Sequence, residues 1–432
     1  MGMDKAKTNS NLLAVLIAYQ IILFALYMFA AQTHLAGQVL IVINIFFVLY
    51  ITMRSLDTKN KVSYWLFLSC FGGLLLAQFI RELNTYTEGF WFANIYVFIT
   101  PLSVHIFFGY LNHFSWGCSK IKKIALIHLV YTLFACFYNI VVNFNEVTSF
   151  IYLTISGNSS GIEAYSTNFA SFFGNRNGFG VLILQAMVSL SLLYRKPRIS
   201  FFVIFSVLMG SLILTLSRAS MLGIAVFIFI VFLLSDMFSK IQKIFIAAAV
   251  TLMVSFSLSI PLVQNWIAQF IWRSRGSNTL FLSDRDTITL SAIEYLNENG
   301  GWLWGTGKGQ VGMIGMETVG FPGFHNAYID AIIANGVIVL FVYLLILFAA
   351  LANAVRIYKY DRHFSAVFIA CTLSFIIYSG FESFQFLVMG NSAWIILLYI
   401  YCLPKMYLNY LKRCPQTVMR LSIGGKRLYE YS

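Results

Sequence analysis

Apolar runs of about 16 to 22 residues recur along this 432-residue chain, and each is long enough to cross roughly 30 Å of hydrocarbon at about 1.5 Å per residue. That recurrence leaves few folds open. With 59% hydrophobic, 17% aromatic and only 10% charged residues, a soluble core could not hide the apolar surface. The chain therefore reads as an all-α polytopic membrane protein. No soluble domain and no internal repeat stands out, so residues 1–432 are taken as a single integral membrane domain.

Twelve spans can be placed, at roughly 11–31, 37–53, 64–80, 90–111, 124–143, 177–194, 199–217, 219–235, 244–262, 337–355, 364–381 and 385–403. With the N-terminus inside, the inside segments hold Lys5 and Lys7, Arg54, Lys59 and Lys61, Lys120, Lys122 and Lys123, Arg195, Lys196 and Arg198, Lys240 and Lys243, Arg356, Lys359 and Arg362, and the six basic residues of the tail. That puts 22 of the 29 Lys and Arg inside and 7 outside, the asymmetry that orients polytopic proteins. Both termini are expected in the cytoplasm. The first span is too long for a signal-peptide core and reads as an anchor. The net charge of +13 then belongs to inside loops facing anionic lipid and does not point to nucleic acid.

The stretch 199–235 is broken only by Ser217-Arg218-Ala219-Ser220, which reads as a tight outer turn between two helices. A charge in so apolar a segment is costly and is usually functional or paired. The six cysteines, Cys70, Cys118, Cys136, Cys371, Cys402 and Cys414, show neither CxxC nor Cys/His metal spacing. Neither a disulfide framework nor a zinc site is suggested.

Two outside segments exceed connector length. The smaller, about 144–176, is polar and ends in Phe173-Gly174-Asn175-Arg176-Asn177. The larger, about 263–336, is the main extramembrane feature. Within it Ser283 is a candidate N-cap with Asp286 three positions on, and Ile288, Ala292 and Tyr295 follow at helical spacing before Asn299-Gly300-Gly301. A second short helix starts after His325-Asn326, with Ile329, Ile332 and Ile333 leading to Asn335-Gly336. Both are expected to be amphipathic and to lie against the membrane surface. Between them runs Gly300-Gly301-Trp302-Leu303-Trp304-Gly305-Thr306-Gly307-Lys308-Gly309. It fails as a phosphate loop: Trp302 stands where the first glycine belongs, and Gly309 replaces the hydroxyl residue that would hold magnesium. What remains is a flexible loop whose backbone can approach a ligand closely.

Taken in order, Gly174-Asn175-Arg176-Asn177, Leu216-Ser217-Arg218-Ala219-Ser220, Asp284-Arg285-Asp286, Trp304-Gly305-Thr306-Gly307-Lys308-Gly309 and His325-Asn326-Ala327-Tyr328 before Asn335-Gly336-Val337 resemble the O-antigen ligase and polymerase superfamily of bacterial envelope glycan assembly. The resemblance covers roughly residues 170 to 385 and is carried by the set, since each element alone is weak. It implies transfer of a glycan from undecaprenyl diphosphate to an acceptor hydroxyl, at the outer face of the bacterial cytoplasmic membrane and without a metal or cofactor. By analogy Arg218 and Arg285 would hold the diphosphate and His325 would activate the acceptor. Arg176 is a third candidate diphosphate ligand, with Asn326, Glu382 and Lys308 in supporting positions. The implied partners are the undecaprenyl-diphosphate-linked oligosaccharide, membrane lipid and a chain-length regulator, with no nucleic acid.

Residue chemistry supports those roles. A glycosyl diphosphate carries its own leaving group, so the protein has to stabilise negative charge and take up a proton. The planar Arg fork binds phosphate oxygens in pairs and keeps its charge. At a helix start it acts beside free backbone N–H groups. A His near a helix N-terminus stays available as a base. Each residue also has a plainer reading. Arg218 can snorkel, Arg176 can anchor at the interface, Arg285 can be a solvated helix charge, and Lys308 can attract headgroups. His325 can be a packed, hydrogen-bonded side chain, and Glu382 can be half of a structural pair. Three functions follow: a polymerase of lipid-linked repeat units for O-antigen or capsule, an O-antigen ligase acting on lipid A core, or a flippase for the same lipid-linked oligosaccharide. A transporter would gather its charges along a central path, whereas here they lie at the outer helix ends.

Overall fold

The computed structural model describes residues 13–22, 25, 114–156, 169–171, 175–261, 263–264, 285–320, 323–382 and 396–413. The side chains of 155, 285–286, 308–310 and 342 lie outside that description. Among the described residues the chain is helical throughout, without strands. A short helix spans Leu13–Ile22. The longer elements are α1 (Cys118–Val142), α2 (Phe144–Ile155), α3 (Arg176–Leu193), α4 (Ile199–Thr215), α5 (Arg218–Leu234), α6 (Lys240–Leu258), α7 (Arg285–Asn299), α8 (Lys308–Val319), α9 (Ala327–Ile357), α10 (Arg362–Ser379) and α11 (Leu403–Arg413).

Four of these, α1, α3, α6 and α10, are long and apolar enough to cross a membrane, and α9 makes a fifth if its two halves, bent by 55°, count as one span. The expected spans at 37–53, 64–80 and 90–111 lie outside the described residues. The 199–235 stretch is two helices, α4 and α5, divided at Leu216, whose φ of 47° ends the first and lets Ser217 start the second. Each has 17 residues.

Helices α3 and α10 form the centre, buried from Phe179 to Leu192 and from His363 to Phe375 with little interruption. Helix α5 packs on α10 and α1 on α3. Lipid is as apolar as leucine, so close contact rather than water release holds such helices together. Gly180 supplies it: a Cβ there would stand 2.8 Å from Ser220 Cβ and 3.1 Å from Ser217 Cβ. Helix α6 is the opposite case. None of its residues is buried by the rest of the described chain, and Phe245, Leu252 and Phe256 are exposed.

A second, smaller core joins Ile288, Ala292 and Leu296 of α7, Val311 and Ile314 of α8, Phe324, and Ile332, Ile333 and Ala334 of α9. These apolar faces, expected to lie against the membrane surface, pack on one another. Burying side chains of this size from water is worth about 1.5–3 kcal/mol each, so the segment from α7 to the first half of α9 has a core of its own. Helix α8 starts at Lys308, so the last two residues of the expected flexible loop are helical. The smaller segment, expected outside, begins with a helix, α2, while its polar residues 158–161 lie outside the described residues. Its Val147 and Phe150 are buried against Phe169, Leu214 and Leu216.

Cys118, Cys136, Cys371 and Cys402 are free thiols, and Cys70 and Cys414 lie outside the described residues. His128 and His363 are buried. His363 has both ring nitrogens engaged, Nδ1 at 2.8 Å from Ser235 Oγ and Nε2 at 2.7 Å from the Ser191 carbonyl.

Candidate functional site

The helix starts of α3, α5 and α9 and the end of α10 meet at one end of the bundle. Asn175 caps α3 by accepting the Asn177 N–H at 2.8 Å, which makes Arg176 the first helical residue. Arg218 is the first residue of α5, half-buried, and the Gly180 contact to Ser217 and Ser220 sets that start against the first turn of α3. Asn326 caps α9, its Oδ1 accepting from the N–H groups of Tyr328 at 3.0 Å and Ile329 at 3.3 Å. Three helix N-termini bring three positive dipole ends to one region, an arrangement that favours negative charge.

His325 immediately precedes that cap, in the left-handed region at φ 50°, which His tolerates better than branched residues do. The chain is tied on both sides of it. The Phe324 N–H donates to Asp330 Oδ1 at 3.1 Å, and the Ala327 N–H donates to the Glu382 carbonyl at 3.1 Å. Phe324 belongs to the small core and Ala327 to the large one, so His325 stands on the seam between them. Its side chain is 42% exposed, open enough to meet a substrate.

Glu382 follows α10 and is buried. Its Oε1 accepts from Asn177 Nδ2 at 2.8 Å, and its Oε2 lies 3.7 Å from His325 Nδ1. The Arg176 guanidinium is within electrostatic reach of the same carboxylate. Tyr378 donates to the Asn177 carbonyl at 3.4 Å and Tyr328 to the Ile376 carbonyl at 2.7 Å, fixing α3 and α9 against α10.

Of the residues nominated by sequence, His325, Asn326, Glu382 and Arg176 share this cluster, and Arg218 opens the helix next to it. Arg285 opens α7 and Lys308 opens α8; their side chains lie outside the described residues. Sequence reasoning missed Asn177 and Asp330. Asn177 lies in the Gly174-Asn175-Arg176-Asn177 motif, directly after Arg176. Asp330, 1% exposed, had the signature of an acid in the first turn after a cap.

The glycine-rich loop, expected to be flexible, is tied to helix α9 by hydrogen bonds. Helix α9 breaks at Gly336 (φ 78°, ψ 170°), and the loop takes up the groups the break sets free. Thr306 N–H and Oγ1 donate to the Ile333 carbonyl at 2.6 and 3.0 Å. Gly307 N–H donates to the Ala334 carbonyl at 3.1 Å, and Val337 N–H to the Trp302 carbonyl at 2.8 Å. The loop's backbone does approach closely, but what it approaches is a helix. Trp302 donates its Nε1–H to Asn297 Oδ1 at 3.1 Å, and Trp304 is exposed.

No protein-family model matches this chain, and no curated protein does.

Proposed function

We propose that the protein is a glycan polymerase that joins undecaprenyl-diphosphate-linked oligosaccharide units, of the O-antigen or capsular kind, at the outer face of the bacterial cytoplasmic membrane. Both termini would be cytoplasmic. The observation that carries this reading is the gathering of Arg176, Arg218, His325 and Glu382, far apart in sequence, at one end of the helices.

In the proposed reaction the acceptor hydroxyl oxygen bonds to the anomeric carbon of the donor, and the bond from that carbon to the diphosphate breaks. His325 takes the hydroxyl proton. Undecaprenyl diphosphate leaves with the bonding pair, its added charge met by Arg218, Arg285 and Arg176 and by the helix N-termini. Oriented donors act on charge as it develops, which lowers the barrier more than it tightens ground-state binding. No step needs a cofactor.

The test is the purified protein with its lipid-linked repeat unit, with products resolved by size. A ladder of longer carrier-linked chains is expected. Transfer only onto lipid A core would make the protein a ligase, and translocation across vesicles without a new glycosidic bond would make it a flippase.

A further inference from the structure

In the Glu382 carboxylate, Oε1 accepts from Asn177 and Oε2 faces His325, with the Arg176 guanidinium within electrostatic reach. A carboxylate is acceptor-only, and a neutral imidazole carries its proton on one nitrogen, chosen by whatever faces the other. The side facing Glu382 is Nδ1. We propose that Asn177 is a positioning residue which, by pinning Glu382, holds His325 with its proton on Nδ1 and the Nε2 lone pair directed to the acceptor hydroxyl.

This rests on the polymerase reading for the hydroxyl, though not for the tautomer. The 3.7 Å separation is longer than a hydrogen bond, and such contacts tighten when substrate fills a site. In the proposed arrangement the 42%-exposed ring turns to close it, while the backbone on both sides stays tied to Asp330 and to Glu382. Asn177 is itself fixed, with its N–H on the Asn175 cap and its carbonyl accepting from Tyr378. The charged and titratable groups facing the pair are Arg176 on α3, which is within electrostatic reach of the Glu382 carboxylate, Asp330 on α9 and Tyr378 on α10.

Glu382→Gln is the informative change because it keeps the shape. Asn177 requires an acceptor and so takes the Gln carbonyl, which leaves the amide NH₂ facing His325. That NH₂ needs a lone pair on Nδ1, so the proton moves to Nε2 and the base is lost. Adding Asn177→Ala frees the amide to turn over and present its oxygen to Nδ1.

The experiment is the ¹⁵N spectrum of histidine-labelled protein, recorded where the ring is neutral, with the His325 signal assigned by its loss in His325→Ala. Wild type should show the Nδ1–H tautomer, Glu382→Gln the Nε2–H tautomer, and the double variant a return toward Nδ1–H. In the transfer assay Glu382→Gln should lose about 100-fold or more with donor binding unchanged, and the double variant should recover about tenfold of it. An Nε2–H signal in wild type, or no tautomer change in Glu382→Gln, overturns the proposal while leaving the polymerase reading intact. The expected tautomers together with a fully active His325→Ala would do the reverse.

Discussion

Gly305 stands against the peptide that joins Ala334 to Asn335: a Cβ at that position would lie 2.5 Å from the Ala334 carbonyl carbon. Gly336, on the other side of the same contact, leaves no room for a Cβ beside the Leu303 carbonyl. Two glycines 31 positions apart in sequence therefore allow the loop to serve as hydrogen-bond partner for a helix that has been interrupted. Buried peptide groups left unpaired there would each cost about 1–3 kcal/mol, so the break and the loop depend on each other.

Gly305→Ala should be destabilising twice over, through its φ of 70° and through the contact with α9. A loss on the order of 2–4 kcal/mol follows, read as a fall in Tm in detergent. Gly312→Ala is the control. It lies within helix α8, where an added Cβ meets nothing within 4 Å, so it should be neutral or stabilise by up to about 1 kcal/mol. Equal effects from the two changes would refute the loop's role.

At the opposite end of the bundle Asp361 pairs with Arg195, accepts from Tyr407 at 2.8 Å and caps α10 through the Phe364 N–H at 3.1 Å. Burial opposes its charge, but Arg195, Tyr407 and the Phe364 amide hold its carboxyl below the ordinary value. A depressed folded value means the stabilisation is complete above the usual carboxylate range near about 4 and is lost as pH falls through the folded value. Asp361→Ala should cost toward the low end of about 3–5 kcal/mol, since Arg195 keeps 24% of its side chain in solvent. The Tm gap to wild type should be constant near neutrality and close in acid. A gap that widened in acid would contradict the pairing.

Arg218→Lys and Arg285→Lys should each lose most transfer activity although charge is retained, because a point charge cannot reproduce the paired fork on a diphosphate. The loss should be about 30- to 1000-fold, equivalent to about 2–4 kcal/mol of transition-state stabilisation. Near-normal turnover of both variants at normal expression would reassign them to headgroup anchoring.

His325→Ala should abolish transfer while leaving binding of the lipid-linked donor largely unchanged, since proton removal matters in the transition state. General bases contribute about 100- to 10,000-fold. A loss of only two- to threefold would leave His325 as a packing residue on the seam.

Single cysteines near Ser277 and Gly309, in a cysteine-free background, should react with an impermeant thiol reagent in intact spheroplasts. Labelling at both only after the membrane is opened would invert the topology drawn from the basic residues.

Much of the local structure was legible because its causes are local. The break near Ser217, the helix start after Asn326 and the stop at Gly300 each follow from one or two residue types, although Arg218 to Ser220 belong to helix α5 and not to the turn. Gly300 adopts φ 78° while its N–H closes on the Leu296 carbonyl at 3.1 Å. Helix α8 escaped because Gly309, Gly312 and Gly315 depress its intrinsic propensity, and only the buried faces of Val311 and Ile314 restore it. The Asn177–Glu382 bond escaped for another reason: it spans 205 positions, and nothing in either neighbourhood names the partner. The role of Gly305 needed both halves of its contact to be seen together.

The seam at His325 has a consequence for how such a protein can change. The group proposed to accept the proton is carried where the small core meets the large one, whereas Arg176 and Arg218 are carried by the large one. Arg285, at the start of α7, travels with the small core. A substitution that shifts one core against the other would therefore move the proposed base and one proposed phosphate ligand together relative to the other two, and Glu382, tied to Ala327 through its carbonyl, is the point at which the two cores must still agree.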